Sequence, residues 1–503
     1  MSLSQNDQPL FDIVNLFNTL NKEGVRYCHW KSNCRLNRSI RGLTDLDLLI
    51  DSSHGQQFRL ILFQHNLKPI NSPQALQYPA VEDYLGFDSE TGRLFHLHVH
   101  YQLILGEQVV KNYRLPLEEA FLNNVQYYQQ LVKIPVPELE LVVLAIRALL
   151  KYRDRDAVKD ILSIRSPGIP TEIRHEIEYL LGQADWARIS YVLNNYVGFV
   201  SPEIILDLLK TVVKSPRAGF VFYRLRGRLR SELSTYQRNS RFQAFYRYWG
   251  FLIKQRLPFQ KQGFPKKIPA TGGHILAVVG ADGAGKSTVI GELYKWLSWK
   301  LKTYRNYMGS QQPSSATRLL ELCSRIVSKV CRLWGGFAGE NNVPGRSLLA
   351  LQRFSRNLYH LSVGQDRYRR YIIAKRQAGQ GAIVLCDRYP LEAIWRVMEG
   401  RPMDGPQIAV EAGLKMDWLT RWFSKMEQNT YRKIHPPDYI FILHVSPQVS
   451  LQRKPDHDPK MILAKSQALK QMEKGSLHVI DVDADIPIEG VLLNIKSELW
   501  RLL

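Results

Sequence analysis

The chain has 503 residues, 45% hydrophobic and 23% charged, a balance that excludes a disordered chain, a collagen and a coiled-coil rod. At about 150 residues per domain, this length predicts about three units and room for at least two ordinary cores. Lys and Arg number 68 against 46 Asp and Glu, a formal charge of +22, so anionic partners are favoured: phosphates, nucleic acid or an anionic membrane face.

The opening residues, MSLSQNDQPL, lack a basic n-region and an apolar h-region, so no signal peptide is expected. No apolar run approaches the about 18–20 residues that span a bilayer; the longest, Leu141–Leu150 and Tyr439–Val445, are short, and the first carries Arg147. Cys28, Cys34, Cys323, Cys331 and Cys386 have neither CxxC nor zinc spacing and read as reduced thiols. A cytoplasmic protein is expected, with a peripheral place at the inner membrane face left open.

Residues 1–130 mix helix and strand signals. HWKSN (29–33) is followed by RGLTDLDLLID (41–51), in which Asp45 and Asp47 stand two apart on an apolar strand. Period two puts both carboxylates on one face, the arrangement that two-metal nucleotidyl transfer requires. This region resembles the nucleotidyltransferase superfamily, whose signature is a Gly turn followed by Asp-x-Asp on a strand. The resemblance implies an α/β domain with Asp45 and Asp47 as metal ligands and a third acid on a neighbouring strand. The candidate strand, RLFHLHVHYQL (93–103), offers His96, His98 and His100 on one face instead, with His98 at the third-acid position. Histidine ligates transition metals, so a working metal site and a degenerate domain that binds a ligand or partner without turnover both stand open. Lys31 and Ser32 suit a phosphate contact.

Residues 131–215 read as a helical region. Pro137 followed by ELELVVLAIRALLKY has proline in the first turn and acids at the N-terminal end, both favourable to a helix start. Residues 216–268 form a basic aromatic bridge. Between Lys210 and Lys267 stand 15 Lys and Arg against the single acid Glu232. Arginines interleaved with aromatics suit single-stranded nucleic acid, an interfacial helix on an anionic membrane, or a solvated face whose aromatics pack on a neighbour. The mixing of aromatics with Leu and Ile favours the membrane over nucleic acid. PKKIPATGG then reads as a linker.

From residue 269 onward the pattern becomes strand–loop–helix, repeated, as in a doubly wound parallel α/β sheet. HILAVVGADGAGKST (274–288) contains Gly280, four residues, then Gly285-Lys286-Ser287, the P-loop pattern between an apolar strand and a helix. Gly280, Gly283 and Gly285 let the backbone curl so that several N–H groups face one point, and the helix N-terminus adds positive potential. Asp282 and Thr288 complete the expected nucleotide-binding set. Lys286 reaches the β- and γ-phosphates and Ser287 places a hydroxyl on Mg²⁺. ATP and Mg²⁺ are the expected cofactors.

QGAIVLCDRYP (380–390) ends an apolar strand in Asp387-Arg388, at the edge where ligands bind in open α/β sheets. Asp387 suits water or Mg²⁺ there, and Arg388 a phosphate. Upstream, GQDRYRRYIIAKRQAG (364–379) reads as a helix with Arg367 and Arg370 on one face, and phosphoryl transfer needs several cations around the moving group. PPDYIFILHVSPQVSLQRK (436–454) and PDHDPKMILAK carry Arg453, Lys454, Lys460 and Lys465 in a Pro-broken segment that suits a lid.

Together GADGAGKST, the QDR helix, VLCDRY and PDYIFILHVSPQVSLQR, spanning about residues 274–480, resemble the thymidylate kinase family in order and spacing. The resemblance implies an ATP- and Mg²⁺-dependent P-loop kinase. Lys286 and Ser287 would hold donor and metal, Asp387 would be a metal or water-ordering acid, Arg367 and Arg388 acceptor clamps, and Arg453 the lid cation. After DRY, however, the chain reads PLEAIWRVMEGRP, with Glu392, Ile394, Trp395 and Arg396 where the family has a serine and then Ala-Tyr-Gln against the thymine. NYMGSQQP replaces the family's Arg-Glu-Pro-Gly stretch. Residues 311–364 also exceed what a minimal nucleotide kinase needs. Phosphoryl transfer from ATP survives the comparison, while the acceptor becomes a nucleoside monophosphate or another anionic small molecule such as a sugar phosphate. Competing readings are a nucleic-acid end-modifying enzyme, a non-catalytic ATP-binding regulatory protein and a membrane-surface kinase of a lipid-linked substrate. A homodimer is an open assembly.

Overall fold

The computed structural model describes residues 8–107, 109–161, 168–214, 219–256, 266–335, 343–391, 417–456, 458–472 and 474–503. It divides into two compact units, Met1–Ala270 and Thr271–Leu503.

The first unit is built on a six-stranded mixed sheet. Its strands are β1 (Tyr27–His29), β2 (Leu46–Ile50), β3 (Lys68–Asn71), β4 (Val81–Phe87), β5 (Leu94–His100) and, after β6 (Leu103–Leu105), β7 (Tyr113–Leu115), β8 (Val125–Tyr128) and β9 (Val132–Pro135), the short β10 (Ile268–Pro269). The sheet order is β1-β2-β5-β4-β3-β10, while β6-β7 and β8-β9 form separate ribbons. Only β2 and β5 run parallel; the other pairs in the main sheet are antiparallel.

Period two decides what each face carries. Leu46, Leu48 and Ile50 of β2 and Phe95, Leu97 and Val99 of β5 enter one core with Ile13, Leu16 and Phe17 of the helix Phe11–Lys22. Asp47, Asp83, His96, His98 and His100 therefore stand on the opposite face. The register makes this specific: Asp47 lies beside His98 across β2 and β5, and Asp83 of β4 lies beside His98 from the other side.

A second core joins the ribbon β6-β7 to the helical region. Its centre is the helix Pro137–Lys151, with proline in its first turn and Glu138 and Glu140 at its N-terminal end, as the sequence indicates. Leu141, Val142, Leu144, Ala145, Ile146 and Leu149 are all buried.

Among its described residues the basic bridge forms the helices Gly219–Glu232 and Arg241–Arg256. The helix Gly219–Glu232 buries Phe222, Leu225 and Leu229 in the helical core, and Arg226 donates to the Tyr152 carbonyl at 2.7 Å. Glu232 accepts from the Ser201 backbone N–H at 2.7 Å. Apolar residues at helical spacing outweigh the local charge because their burial removes area from water. PKKIPATGG holds the boundary between the two units, Ala270 to Thr271, and part of it also forms a strand. Ile268 and Pro269 pair antiparallel with Asn71 and Ile70, and extended Pro-rich chain suits an edge strand.

The second unit is a parallel five-stranded sheet of β11 (Ile275–Gly280), β12 (Thr303–Tyr307), β13 (Ile383–Asp387), β14 (Tyr439–His444) and β15 (Val479–Asp483), ordered β12-β13-β11-β14-β15. Helices connect the strands, including Lys286–Ser298, Ser315–Gly335 and Val343–Gly379, and Ile488–Leu502 follows β15. β11 is buried along its whole length, as parallel strands covered on both faces are. Among the described residues no helix is long and apolar enough to cross a membrane, and no disulfide joins the five cysteines.

Candidate functional site

The phosphate loop connects β11 to the helix Lys286–Ser298. Gly283 and Gly285 adopt φ of +83° and +82°, which glycine supplies without a Cβ penalty. Gly283 also lies so close to Ser450 that a Cβ would sit 3.0 Å from its carbonyl oxygen. Lys286 Nζ donates to the carbonyls of Gly280 at 2.8 Å and Ala281 at 2.9 Å. Its ammonium thus rests on the loop that would cradle phosphates.

β13 delivers the acid. Asp387 stands beside Val278 of β11 and Tyr307 of β12. Its Oδ2 accepts from Ser287 Oγ at 3.0 Å. Its Oδ1 is buried with no hydrogen-bond partner among the described residues. An unpaired carboxylate oxygen next to a hydroxyl is an all-oxygen donor set suited to a hard cation such as Mg²⁺. Ser287 and Thr288 are exposed in the first turn of the helix. Arg388 follows with φ of +57°, a left-handed conformation that is uncommon for a side chain of this size.

Two cations from the segment that the sequence reads as a lid, Arg453 and Lys465, contact the loop. Arg453 donates to the Gly283 carbonyl at 3.4 Å and the Ala484 carbonyl at 3.2 Å. Asp282 pairs with Lys465 of the helix Pro459–Lys470, so its carboxylate holds that helix to the loop. Arg367 lies elsewhere than an open clamp. It is 3% exposed and donates to the Tyr431 hydroxyl at 2.8 Å. Its neighbour Arg370 donates to the carbonyls of Tyr307 at 3.2 Å and Gly309 at 2.7 Å and fixes the turn after β12. Asp366 accepts from the Ser314 N–H at 2.8 Å and Thr317 Oγ1 at 2.7 Å. This helix therefore orders the loop that begins the 311–364 expansion. Glu392, Ile394, Trp395 and Arg396 lie outside the described residues.

A second cluster occupies the polar face of the first unit. Asp45 and Asp47 take different partners: Asp45 Oδ1 is 2.9 Å from His96 Nδ1, and Asp47 Oδ1 is 2.7 Å from Lys31 Nζ. His98 Nδ1 and His100 Nε2 are each 3.9 Å from Asp47 Oδ1. Burial alone would raise the Asp47 carboxyl, but the Lys31 ammonium and the His100 and His98 rings outweigh it and hold the group well below the ordinary range. Burial, reinforced by His100, keeps His98 well below the usual histidine range, and burial brings His100 to about 4. Both rings are neutral near pH 7.

β4 brings a further acid, Asp83, to the same face beside His98. Asp83 Oδ1 contacts His96 Nε2 at 3.1 Å and Lys267 Nζ at 2.5 Å, and Oδ2 accepts from Ser72 Oγ at 2.8 Å. Asp83 had a signal in the sequence, as one of the two adjacent acids Glu82 and Asp83 in VEDYLGF. Lys267 had none, because its place depends on β10 closing the sheet edge.

The fold and the Ser287–Asp387 pairing beside the glycine loop define a P-loop α/β unit. No family model matches the chain. It is 26% identical over 230 residues to the uncharacterized ATP-binding protein YghR of Escherichia coli K12, covering 45% of this chain and 86% of that protein. It is also 26% identical over 234 residues to the uncharacterized ATP-binding protein YghS of the same strain, covering 45% of this chain and 92% of that one. A deoxyadenosine kinase from M. mycoides with bound dATP aligns over 45% of this chain and 98% of its own, at 14% identity and a TM-score of 0.28.

Proposed function

We propose that the C-terminal unit is an ATP- and Mg²⁺-dependent phosphotransferase. One observation carries the reading: the Ser287 hydroxyl and the partly unpaired Asp387 carboxylate meet beside a glycine loop that already seats Lys286. The ATP-binding names of YghR and YghS support the nucleotide. Lys286 would bind the β- and γ-phosphates, and Ser287 and Asp387 would hold Mg²⁺, which offsets charge on the transferring group. An acceptor oxygen attacks the γ-phosphorus, the bond to the β–γ bridging oxygen breaks, and ADP leaves. Arg388 and Arg453 would steady that charge. The acceptor is an anionic small molecule, either a nucleoside monophosphate or a sugar phosphate, with thymidylate not implied because the thymine-facing residues differ.

A membrane-surface variant has its own support. Phe242, Phe245, Tyr246, Trp249 and Ile253 are exposed along the basic helix Arg241–Arg256, at spacings that share one face. Such a face suits an anionic lipid surface and a lipid-linked acceptor.

The test is ADP release from Mg·ATP with panels of nucleoside monophosphates and sugar phosphates, with and without anionic vesicles. Acceptor-dependent release that Lys286→Ala abolishes is the expected result. ATP binding with no release for any acceptor would favour the regulatory reading.

A further inference from the structure

We propose that Asp47, His98 and His100 form a binding site for one divalent transition-metal ion, in addition to the Mg²⁺ expected at the phosphate loop. A carboxylate oxygen of Asp47 and one ring nitrogen from each histidine all lie within 4.8 Å of one another. Ligands bonded at about 2.0 Å in a tetrahedron stand about 3.3 Å apart. His98 Nδ1 and His100 Nε2 are each 3.9 Å from Asp47 Oδ1, so each closes by about 0.6 Å on the carboxylate when an ion draws them to that spacing.

The backbone builds this site. Asp47 and His98 are register partners on parallel strands, and His100 follows two residues later on the same face. The His98 and His100 rings stack nearly parallel with centroids 4.5 Å apart, so one ring turns to bring both in-plane lone pairs onto one ion. Sites on paired strands are held more rigidly than sites on loops.

The unsatisfied atoms point to a ligand. Both nitrogens of His100, including the Nε2 that faces Asp47, are buried with no hydrogen-bond partner among the described residues, and His100 is 1% exposed. Buried polar groups are ordinarily paired. Coordination would use a lone pair on each ring. Other groups on this face are already engaged. Asp83 Oδ1 also lies 3.9 Å from His98 Nδ1 but is held by His96, Lys267 and Ser72, and Asp45 contacts His96.

The donor set selects the class of ion. Two imidazoles and one carboxylate suit zinc, iron(II), cobalt(II) or manganese(II), whereas Mg²⁺ and Ca²⁺ prefer oxygen alone. Three protein ligands leave a position open for water or an anionic ligand. Lys31 is the internal competitor. Its ammonium is 2.7 Å from Asp47 Oδ1, and its side chain is 21% exposed, so it neutralises Asp47 without metal and swings toward solvent when an ion arrives.

The test uses the full chain, stripped with a chelator and titrated with cobalt(II). One equivalent should bind with visible absorption bands of low-coordinate cobalt and be displaced by zinc but not by millimolar Mg²⁺. Asp47→Asn should weaken binding by about tenfold or more. The His98→Ala/His100→Ala double variant should lose the bands. Lys31→Met, which keeps every ligand, should bind more tightly than wild type. Ser287→Ala with Asp387→Asn should leave the bands unchanged, separating this site from the phosphate loop. No stoichiometric uptake by wild type and Lys31→Met, or bands that persist in the double histidine variant, would overturn the proposal. Displacement by Mg²⁺ would do the same.

Discussion

Replacing Lys286 with methionine keeps the side chain's length and removes its charge. In the free chain the ammonium donates to the Gly280 carbonyl at 2.8 Å and the Ala281 carbonyl at 2.9 Å. Binding a nucleotide exchanges these neutral acceptors for phosphate oxygens. Two contacts to anionic oxygens are worth about 3 kcal/mol each, and two to neutral carbonyls about 1.5 kcal/mol each. The difference, about 3 kcal/mol, corresponds to a roughly hundredfold loss of affinity. Isothermal titration with a non-hydrolysable ATP analogue at fixed Mg²⁺ measures it directly. Lys295→Met is the control, since Lys295 is on the same helix but exposed and paired with Glu292. A change below about threefold for Lys286→Met, or equal effects for the two variants, would refute the assignment of Lys286 to the phosphates.

Two further predictions concern the first unit. Asp83→Asn should destabilise the chain by about 3 kcal/mol in urea unfolding, because it leaves the largely buried Lys267 ammonium without its partner; Lys267→Met added to Asp83→Asn should recover part of the loss, and a variant within about 0.5 kcal/mol of wild type would contradict the reasoning. Burial raises Glu140 to about 7 despite its bonds from the Asn33 N–H and Nδ2. Its folded value lies above its ordinary one, so its stabilising contribution is complete below about pH 4.5 and is lost as pH rises through about 7. The bound on that loss is about 3 kcal/mol. Unfolding midpoints across this window should fall with pH in wild type and stay flatter in Glu140→Gln; parallel slopes would show that Glu140 does not titrate there.

The sequence by itself determined what local physics controls. The glycine spacing, the apolar run before it and the helix after it specified the phosphate loop, because backbone curvature and helix capping depend on neighbouring residues. Alternation on two strands placed Asp47 and the three histidines on polar faces, because a strand has period two whatever it packs against. Tertiary structure alone decided which of these groups meet. Strand order brought Asp83 beside His98 from a strand between β3 and β5, and the closing of β10 on the sheet edge delivered Lys267 from a stretch that reads as a linker. Packing also buried Arg367 against Tyr431, although its helix position resembles that of an open clamp, and it drew the first half of the basic bridge into the helical core. Sequence spacing reports which face a side chain takes. Only the packed fold reports what stands opposite, because those contacts join residues whose separation along the chain carries no local signal.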